Sequence, residues 1–495
     1  MQGATLLNGR GLARPANVSP TFKATAPAVL TLIALLLNLF IDVMWPNSLS
    51  PSIALGLYVL AVVQLFKAYP LALVLMVPFI ILQVSGTLSL VLIEGGAEMK
   101  EVAATGSPSA ATSSFVLYAL TFLLASVATY TRFSQRSGRK LTDATSKARQ
   151  LMPLVKNAPL IISMLALGYL LAAGVKTGFP LIDGVDRFAF RRLRADELTL
   201  NLLNLKFITA AILGSGGAFA NSALLKRLHH IVFVAFLATT YLYGDKFFSI
   251  LISVSVYVMP HLMQVPEKNI LRALAKLAPI AFVAVSAVFG MTLYIYSDYG
   301  TRSPAEAIGN VSDRIAGQGQ LWFVANRDDP APMRFDTHIV SMNLANLVNV
   351  PSSDYAFRHR LAAFYFVEKY YPRALYASTL NSFGWVTPTM VFEAYGLVAF
   401  GYVGLVLLMI AAGVFVGTLM HYLSGMLMTG NMFNIMLPAF VFDATCKMMS
   451  QATLYNVFGV SAFKAYAAFA LLQLIVTIFL KGASKPLQAP RPAAD

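Results

Sequence analysis

The sequence predicts an all-α polytopic membrane protein with about 12 transmembrane helices and one large helical loop on the outer side of the membrane. Composition is the first reason, because 57% of the 495 residues are hydrophobic and only 12% are charged. A soluble domain carries about a quarter of charged residues. The second reason is a series of apolar runs, each close to the roughly 20 residues that a span needs. We therefore expect a single integral membrane domain over residues 1–495.

These apolar runs give the predicted elements in chain order. The predicted spans are residues 27–45, 51–66, 70–93, 115–131, 158–175, 200–220, 229–244, 246–263, 277–297, 390–420, 431–450 and 459–480.

The basic segment 132–157 sets the predicted orientation. It contains many Lys and Arg residues and a single acidic residue, Asp143, and basic loops stay on the cytoplasmic side. Counting spans from this loop places both termini in the cytoplasm and residues 94–114, 176–199 and 298–387 outside. Cytoplasmic loops that face anionic lipid headgroups explain much of the net charge of +15. We therefore expect membrane lipid, and no nucleic acid, as the partner of these charges.

The outer segment 298–387 is predicted to be folded, because it is too aromatic for a disordered loop. A capping-box sequence from Ser303 to Glu306 predicts a helix over residues 304–317. Ser353 begins a second predicted helix, which ends at Pro372.

Arginine is concentrated in two of the outer segments, against the usual cytoplasmic bias of basic residues. Its planar fork matches phosphate and carboxylate oxygens, so these loops predict a binding site for a phosphorylated, anionic substrate. The candidate residues are Arg191, Arg194, Arg314, Arg358, Arg360 and Arg373. Arg358 and Arg360 are two apart on a predicted helix and point about 200° apart, so they should not serve one phosphate together. The alternative is that these arginines bind lipid phosphates at the interface.

The tenth predicted helix starts at Thr387-Pro388 with its amino terminus directed outward, which is a natural anion site. Glu393 lies early in this helix and is either a general base or a structural partner of an outer arginine. His338 is the other candidate for a base that activates a hydroxyl. Among the loop aromatics, Trp322 and Trp385 are candidates for stacking on a sugar, with loop-core packing as the alternative.

Several classes of chemistry lack their sequence signals. The sequence contains no phosphate-binding loop of a nucleotide-driven pump and no His/Cys spacing for zinc. No Asp-x-Asp motif lies in an outer loop, and Asp328-Asp329 is weak evidence for a metal. Cys446 is the single cysteine, so no disulfide forms within the chain. We therefore expect no cofactor and no metal.

Two segments carry a resemblance to a known family. The first is Ser312 to Trp322, and the second is Thr387 to Gly396 with the apolar run that continues to Gly404. Together with the span count and the large late outer loop, they resemble the Wzy-type O-antigen polymerases. Arg373 and Gly384, with ten residues between them, also fit a pattern of some members.

The resemblance implies inverting polymerisation of oligosaccharide repeat units carried on undecaprenyl diphosphate. The reaction would take place at the periplasmic face of a bacterial inner membrane, without a metal and with a chain-length regulator as partner. It further implies that the arginines hold the diphosphate. The base remains open between His338, Glu393 and the diphosphate itself. Three other functions also remain open: an O-antigen ligase, a flippase for the same lipid-linked unit, and a structural multi-pass protein.

Overall fold

The computed structural model describes residues 26–150, 157–185, 187–245, 247–266, 268–276, 303–348, 362–381 and 391–483, together with residues 279, 286 and 290. Helix makes up 83% of the structure, in 19 helices, and two short strands form one antiparallel hairpin. The predicted helical class is therefore confirmed.

The first eleven helices precede the large loop. They are α1 (Ala26–Met44), α2 (Ser50–Ala68), α3 (Pro70–Glu94), α4 (Ala111–Gln150), α5 (Ala158–Thr177), α6 (Arg187–Leu193), α7 (Glu197–Asn204), α8 (Lys206–Ala218), α9 (Ala223–Leu242), α10 (Phe247–Leu262) and α11 (residues 268–276). Strands β1 (Glu98–Met99) and β2 (Ala104–Thr105) lie between α3 and α4.

The remaining helices belong to the loop and to the late spans. They are α12 (Pro304–Asp328), α13 (Thr337–Val348), α14 (Ala362–Tyr370), α15 (Arg373–Asn381), α16 (Val391–Leu427), α17 (Met432–Gln451), α18 (Tyr455–Phe458) and α19 (Val460–Ala483).

Seven helices in the described part of the chain are long and apolar enough to cross a membrane. They are Ser50–Ala68, Pro70–Glu94, Ala111–Arg136, Ala158–Thr177, Ala223–Leu242, Val391–Leu427 and Val460–Ile478. An eighth is present if α7 and α8, which meet at a 55° bend, form one span. The predicted number of about 12 is therefore not confirmed, because α1 and α10 have only short apolar stretches and α17 is not among the seven.

The basic segment 132–157 differs from the predicted loop. The helix α4 does not end with its apolar part but continues as far as Gln150. A helix can continue into water where basic side chains replace apolar ones, because its backbone hydrogen bonds are internal. The cytoplasmic position of this segment stays a prediction.

The centre of the bundle is the contact between α4 and the second part of α16. Gly413 lies so close to α4 that an added methyl group would be 2.7 Å from the carbonyl oxygen of Phe122. Gly417 makes an equally close approach at Ser126. Small residues allow two membrane helices to bring their backbones together, which increases van der Waals contact.

The helix α16 is broken at Gly401, where φ is 72° and ψ is −176°. Gly396 packs against Leu405 and Leu408. In a continuous helix, residues nine apart are separated by about 14 Å of axial rise, so the chain must fold back on itself at Gly401. The predicted single helix over 390–420 is therefore wrong: α16 has a short arm, 391–400, and a long arm, 402–427.

A segment of the large loop, residues 329–336, fills this break. On the side of the short arm, the backbone N–H groups of Arg334 and Asp336 donate to the last carbonyl oxygens of that arm, at 3.2 and 2.9 Å. On the side of the long arm, Tyr402 N–H and Val403 N–H donate to carbonyl oxygens of the loop segment, at 3.0 and 3.1 Å. Backbone N–H and C=O groups that are buried at a helix break need hydrogen-bond partners. The loop segment supplies these partners here.

The helix α12 joins the loop to the end of the bundle where α3 ends and α4 begins, which we call the loop end. The predicted capping box is confirmed, with the Ser303 side chain accepting from Glu306 N–H and the reverse bond also present. The helix runs to Asp328, well beyond the predicted residue 317. The Ser89 hydroxyl accepts a hydrogen bond from Gly319 N–H at 2.7 Å, which fixes α12 against α3.

The hairpin β1–β2 holds α12 from the other side. Lys100 Nζ lies 2.6 Å from an oxygen of Asp313, and Glu101 accepts hydrogen bonds from Gln320 and Tyr371. The loop that connects α3 to α4 is therefore part of the same assembly as the large loop.

Candidate functional site

Asp329 is the centre of a charged cluster on the large loop. Its carboxylate accepts from Lys369 Nζ and from the Tyr370 hydroxyl, both at 2.5 Å, and from Arg334 Nη1 at 3.0 Å. Burial alone would raise the pKa of Asp329, but these three donors outweigh it and lower the pKa below its usual value. The cluster joins the segment 329–336 to α14, so two of the loop's basic residues have a structural partner.

Asp336 begins α13 and places the predicted base next to it. Its carboxylate accepts from the backbone N–H groups of His338 and Ile339, at 3.0 and 3.2 Å, as a helix cap does. The His338 side chain is exposed, and its ring centroid lies 6.4 Å from that of Tyr365. Burial raises the pKa of the Tyr365 hydroxyl above its ordinary value. His338 thus has the access to solvent that a general base for a diffusing hydroxyl requires.

Two of the predicted phosphate ligands are exposed on the loop. Arg314 lies on α12, and Arg373 is the first residue of α15. Neither guanidinium forms an ion pair with a described residue, whereas Arg327 and Arg334 both pair with aspartates. Within the described part of the loop, Arg314 and Arg373 are therefore the arginines whose guanidinium groups are not held by an aspartate.

Three predicted site residues, Arg358, Arg360 and Trp385, lie outside the described residues. The same holds for the predicted helix start at Thr387-Pro388.

Trp322 does not fit its predicted sugar-stacking role. The side chain is 0% exposed, and its ring packs edge-on against Phe115 and Tyr118 of α4. Its Nε1 donates to the carbonyl oxygen of Ala111 at 2.9 Å. A sugar needs an open aromatic face, so Trp322 is a core residue that fixes α12 on α4. Sequence showed an aromatic residue in an outer loop but could not show that α12 sinks into the bundle.

Glu393 lies in the first turn of the short arm and is buried together with its neighbours Val391, Phe392 and Ala394. The predicted anion site belongs to the helix start at Thr387-Pro388 and lies outside the described residues. No described side chain donates to Glu393 Oε2. No described arginine pairs with Glu393, so its two predicted roles, general base or partner of an outer arginine, both stay predictions.

A second charged cluster lies inside the bundle. Lys206 Nζ is 2.6 Å from both carboxylate oxygens of Asp245, and Arg191 Nη2 is 3.3 Å from one of them. The side chains of Lys206 and Asp245 are only 10% and 5% exposed. Nearby, Lys447 Nζ lies 2.7 Å from Asp443, whose side chain is 7% exposed.

The position of this cluster follows from the path of α8. Ser215, late in α8, donates to the carbonyl oxygen of Leu427 at 2.7 Å. Leu427 ends the long arm, which starts at the loop end, so the start of α8 at Lys206 also lies toward the loop end. The ammonium groups of Lys206 and Lys447 both approach the Phe207 ring, at 5.2 and 5.9 Å from its centroid.

Of the two predicted arginines near this cluster, Arg191 takes part and Arg194 does not. Arg194 pairs loosely with Asp183 at 3.9 Å, and both side chains are more than a third exposed. The sequence prediction missed Lys206, Asp245 and Lys447. Their signal was present, because a charged residue within or beside an apolar run is costly unless it has a partner or a function.

No group of three or more His, Cys, Asp or Glu side chains in the described ranges is arranged to hold a metal ion. The weak candidate pair Asp328-Asp329 is instead occupied by cations, because Arg327 binds the first carboxylate and Lys369 and Arg334 bind the second.

Comparisons with protein-family models, with curated proteins and with solved structures found no match to this chain. Any function must therefore be argued from the residues themselves.

Proposed function

We propose that this protein is an integral membrane glycosyltransferase that polymerises lipid-diphosphate-linked oligosaccharide repeat units. One observation carries the proposal. The large loop is a set of helices fixed on the end of an apolar bundle, and it presents two exposed arginines, Arg314 and Arg373, that have no described ion-pair partner. The proposal adds to this the resemblance of two sequence segments to the Wzy-type O-antigen polymerases.

The proposed reaction needs little from the protein except charge and position. An acceptor hydroxyl oxygen attacks the anomeric carbon of the donor sugar from the face opposite the leaving group. The bond from that carbon to the lipid diphosphate breaks, and the diphosphate takes the electron pair. The hydroxyl proton goes to a base, for which exposed His338 is the first candidate and the departing diphosphate the second. Negative charge builds up on a phosphate oxygen, where preorganised guanidinium groups stabilise it most.

In this proposal the loop end faces the periplasm of a bacterial cell, and about 12 spans form the membrane domain. Arg314 and Arg373 bind the diphosphate at the surface of the loop, and Arg191 and Arg194 contribute from the mid-chain segment. A chain-length regulator is the proposed protein partner. A metal ion has no proposed role.

A flippase for the same lipid-linked unit is the second candidate, because one observation favours it. Arg191, Lys206 and Lys447 form a basic cluster outside the large loop, in which Lys206 is buried and the other two are partly exposed. A transporter for an anionic headgroup needs basic residues along an internal path. An O-antigen ligase shares the donor and differs in its acceptor, so only the product can separate it from a polymerase.

The test is the lipopolysaccharide profile of a deletion strain that carries wild type, Arg314→Ala or Arg373→Ala, with expression of each checked. Arg227→Ala is the matched control, because Arg227 is exposed at the opposite end of the bundle. For a polymerase, deletion leaves a single-repeat band, wild type and the control restore the ladder, and both loop variants reduce it at least tenfold. The loss expected for one charged hydrogen bond is about 1.5–3 kcal/mol.

Other outcomes point elsewhere. Loss of all O-antigen while the polymerised glycan is still made would indicate a ligase. Lipid-linked units that accumulate inside the cell would indicate a flippase. An unchanged ladder after deletion would exclude this protein as the polymerase of that glycan. Full restoration by both loop variants would leave the reaction open but would remove Arg314 and Arg373 from the site.

A further inference from the structure

Among the described residues, the charged cluster around Lys206 carries one positive charge more than its carboxylates balance. Two aspartates, Asp245 and Asp443, face three basic side chains, Arg191, Lys206 and Lys447. The excess charge lies on side chains that are partly exposed, so it can attract an anion from solution or from a lipid headgroup. We infer that this cluster, built around the proposed diphosphate ligand Arg191, is an anion subsite that takes a phosphate-type oxyanion.

The two lysines are already committed. Lys206 Nζ bridges both oxygens of Asp245 at 2.6 Å, and Lys447 Nζ holds one oxygen of Asp443 at 2.7 Å. Each lysine thus neutralises one aspartate and holds it in place. The remaining positive charge is that of Arg191.

The guanidinium of Arg191 has hydrogen-bond donors that its described partner does not satisfy. Its Nη2 makes one long contact, 3.3 Å, with Asp245, and its Nε is buried without a hydrogen-bond partner. Nε and one terminal nitrogen form the edge of the guanidinium that binds phosphate with two parallel hydrogen bonds. A buried donor without an acceptor is unfavourable, and an oxyanion on this edge would supply the missing acceptor.

Asp443 likewise has a buried acceptor atom that receives no hydrogen bond. Its second oxygen, Oδ1, is buried and has no donor within the described structure. A phosphate that carries one proton, or a hydroxyl of the same ligand, has the donor that this oxygen lacks.

The cluster is also open to a ligand. The Arg191 and Lys447 side chains are 32% and 47% exposed, whereas both aspartates are below 10%. The Phe207 ring lies beside both ammonium groups and excludes water from that side. An oxyanion can therefore reach the cations from the open side while the aspartates stay covered.

The oxyanion could be free or could be the headgroup of a lipid whose tail lies along the apolar helices. Its assignment to a polyprenyl diphosphate rests on the proposed function, but the anion subsite itself does not. The test measures binding of farnesyl diphosphate, inorganic pyrophosphate and farnesol to the full-length protein in neutral detergent. Arg191→Gln removes the surplus charge, Arg191→Lys keeps the charge but loses the planar fork, and Arg227→Gln is the control.

We expect farnesyl diphosphate to bind and farnesol to bind at least tenfold more weakly, since the charge carries the interaction. Arg191→Gln should weaken the diphosphate about tenfold or more, Arg191→Lys should be intermediate, and Arg227→Gln should match wild type. Competition by pyrophosphate at similar concentration would identify a free phosphate source, and weak competition by pyrophosphate a lipid headgroup.

Two results would overturn the inference. One is equal binding of farnesol and farnesyl diphosphate by the wild type, which needs no variant to fold. The other is folded Arg191→Gln protein, checked by gel filtration, that binds the diphosphate as tightly as wild type. Neither result depends on polymerisation, so a failed subsite and a failed glycosyltransferase proposal can be told apart.

Discussion

The two charged clusters of this protein use the same chemistry in different surroundings. On the loop, Asp329 holds Arg334 and Lys369, whose side chains are 36% and 30% exposed. In the bundle, Asp245 holds Lys206, and this lysine is 10% exposed. An exposed pair is worth at most about 1 kcal/mol, whereas breaking a buried pair costs about 3–5 kcal/mol. The ion pairs of the loop cluster therefore contribute little to the free energy of unfolding. In the bundle cluster, removal of one charged partner should destabilise the protein strongly.

Breaking the buried pair should give the largest effect. Lys206→Ala leaves Asp245 buried with only the 3.3 Å contact to Arg191. We expect a loss of about 3–5 kcal/mol, seen as a large fall in Tm in detergent. The double variant Lys206→Met/Asp245→Leu removes both charges and should recover most of the loss. A Lys206→Ala protein that melts with wild type would show that the pair is not buried as described.

Gly401→Ala should come next, because it tests how the loop is held by the bundle. A side chain at φ +72° is strained, and the new methyl group would lie 2.7 Å from the carbonyl oxygen of Ala331. We expect a loss of about 1–3 kcal/mol and faster proteolysis of the loop. The control is Gly168→Ala, where an added methyl group has no neighbour within 4 Å. Equal stability of the two variants would contradict the fold-back at Gly401.

The smallest effect is expected at the loop cluster, as a dependence on pH. The folded pKa of Asp329 lies below its ordinary value of about 3.8. Its contribution is therefore fully present above that ordinary value and is lost as pH falls through the lower folded pKa. Screening by water limits the contribution to less than about 1 kcal/mol. The protection factors of the amides in residues 362–381, which are corrected for the intrinsic exchange rate at each pH, should fall below pH 4 in wild type.

Two variants sharpen this measurement. Asp329→Asn should exchange faster already at pH 7 and should lose the acid dependence. Lys100→Ala removes an ion pair with Asp313 that is exposed on both sides, at 60% and 37%, and should leave exchange unchanged. Identical pH profiles of wild type and Asp329→Asn would show that the acid sensitivity lies elsewhere.

Local signals in the sequence were sufficient for the start and end of several elements. The capping box at Ser303 and the helix end before Pro372 depend on neighbouring residues and were predicted correctly. The break at Gly401 was not predicted, because its hydrogen bonds come from residues about 70 positions earlier in the chain. A glycine in an apolar run shows that a break is allowed but not that one occurs.

The candidate site was predicted in the same uneven way. Residue type alone singled out Arg191, Arg314 and Arg373. It could not separate them from Arg334, which has a structural partner, because ion pairing depends on the three-dimensional fold. The pair of Lys206 with Asp245 joins residues that lie on different helices, so composition and spacing could not find it. Trp322 shows the reverse case, in which an aromatic residue in a predicted loop is a core residue.

The hydrogen bonds from residues 329–336 to the helix break at Gly401 also have a consequence for biosynthesis. These residues leave the ribosome before Ala399 to Val403, so the partners of the break exist before the break itself reaches the membrane. Formation of the break ahead of the loop would leave four backbone groups without these partners, and an unpaired buried backbone group costs about 1–3 kcal/mol. The order of the chain avoids that state. A circular permutant that placed the loop after the long arm would lose this advantage even though its final contacts were the same.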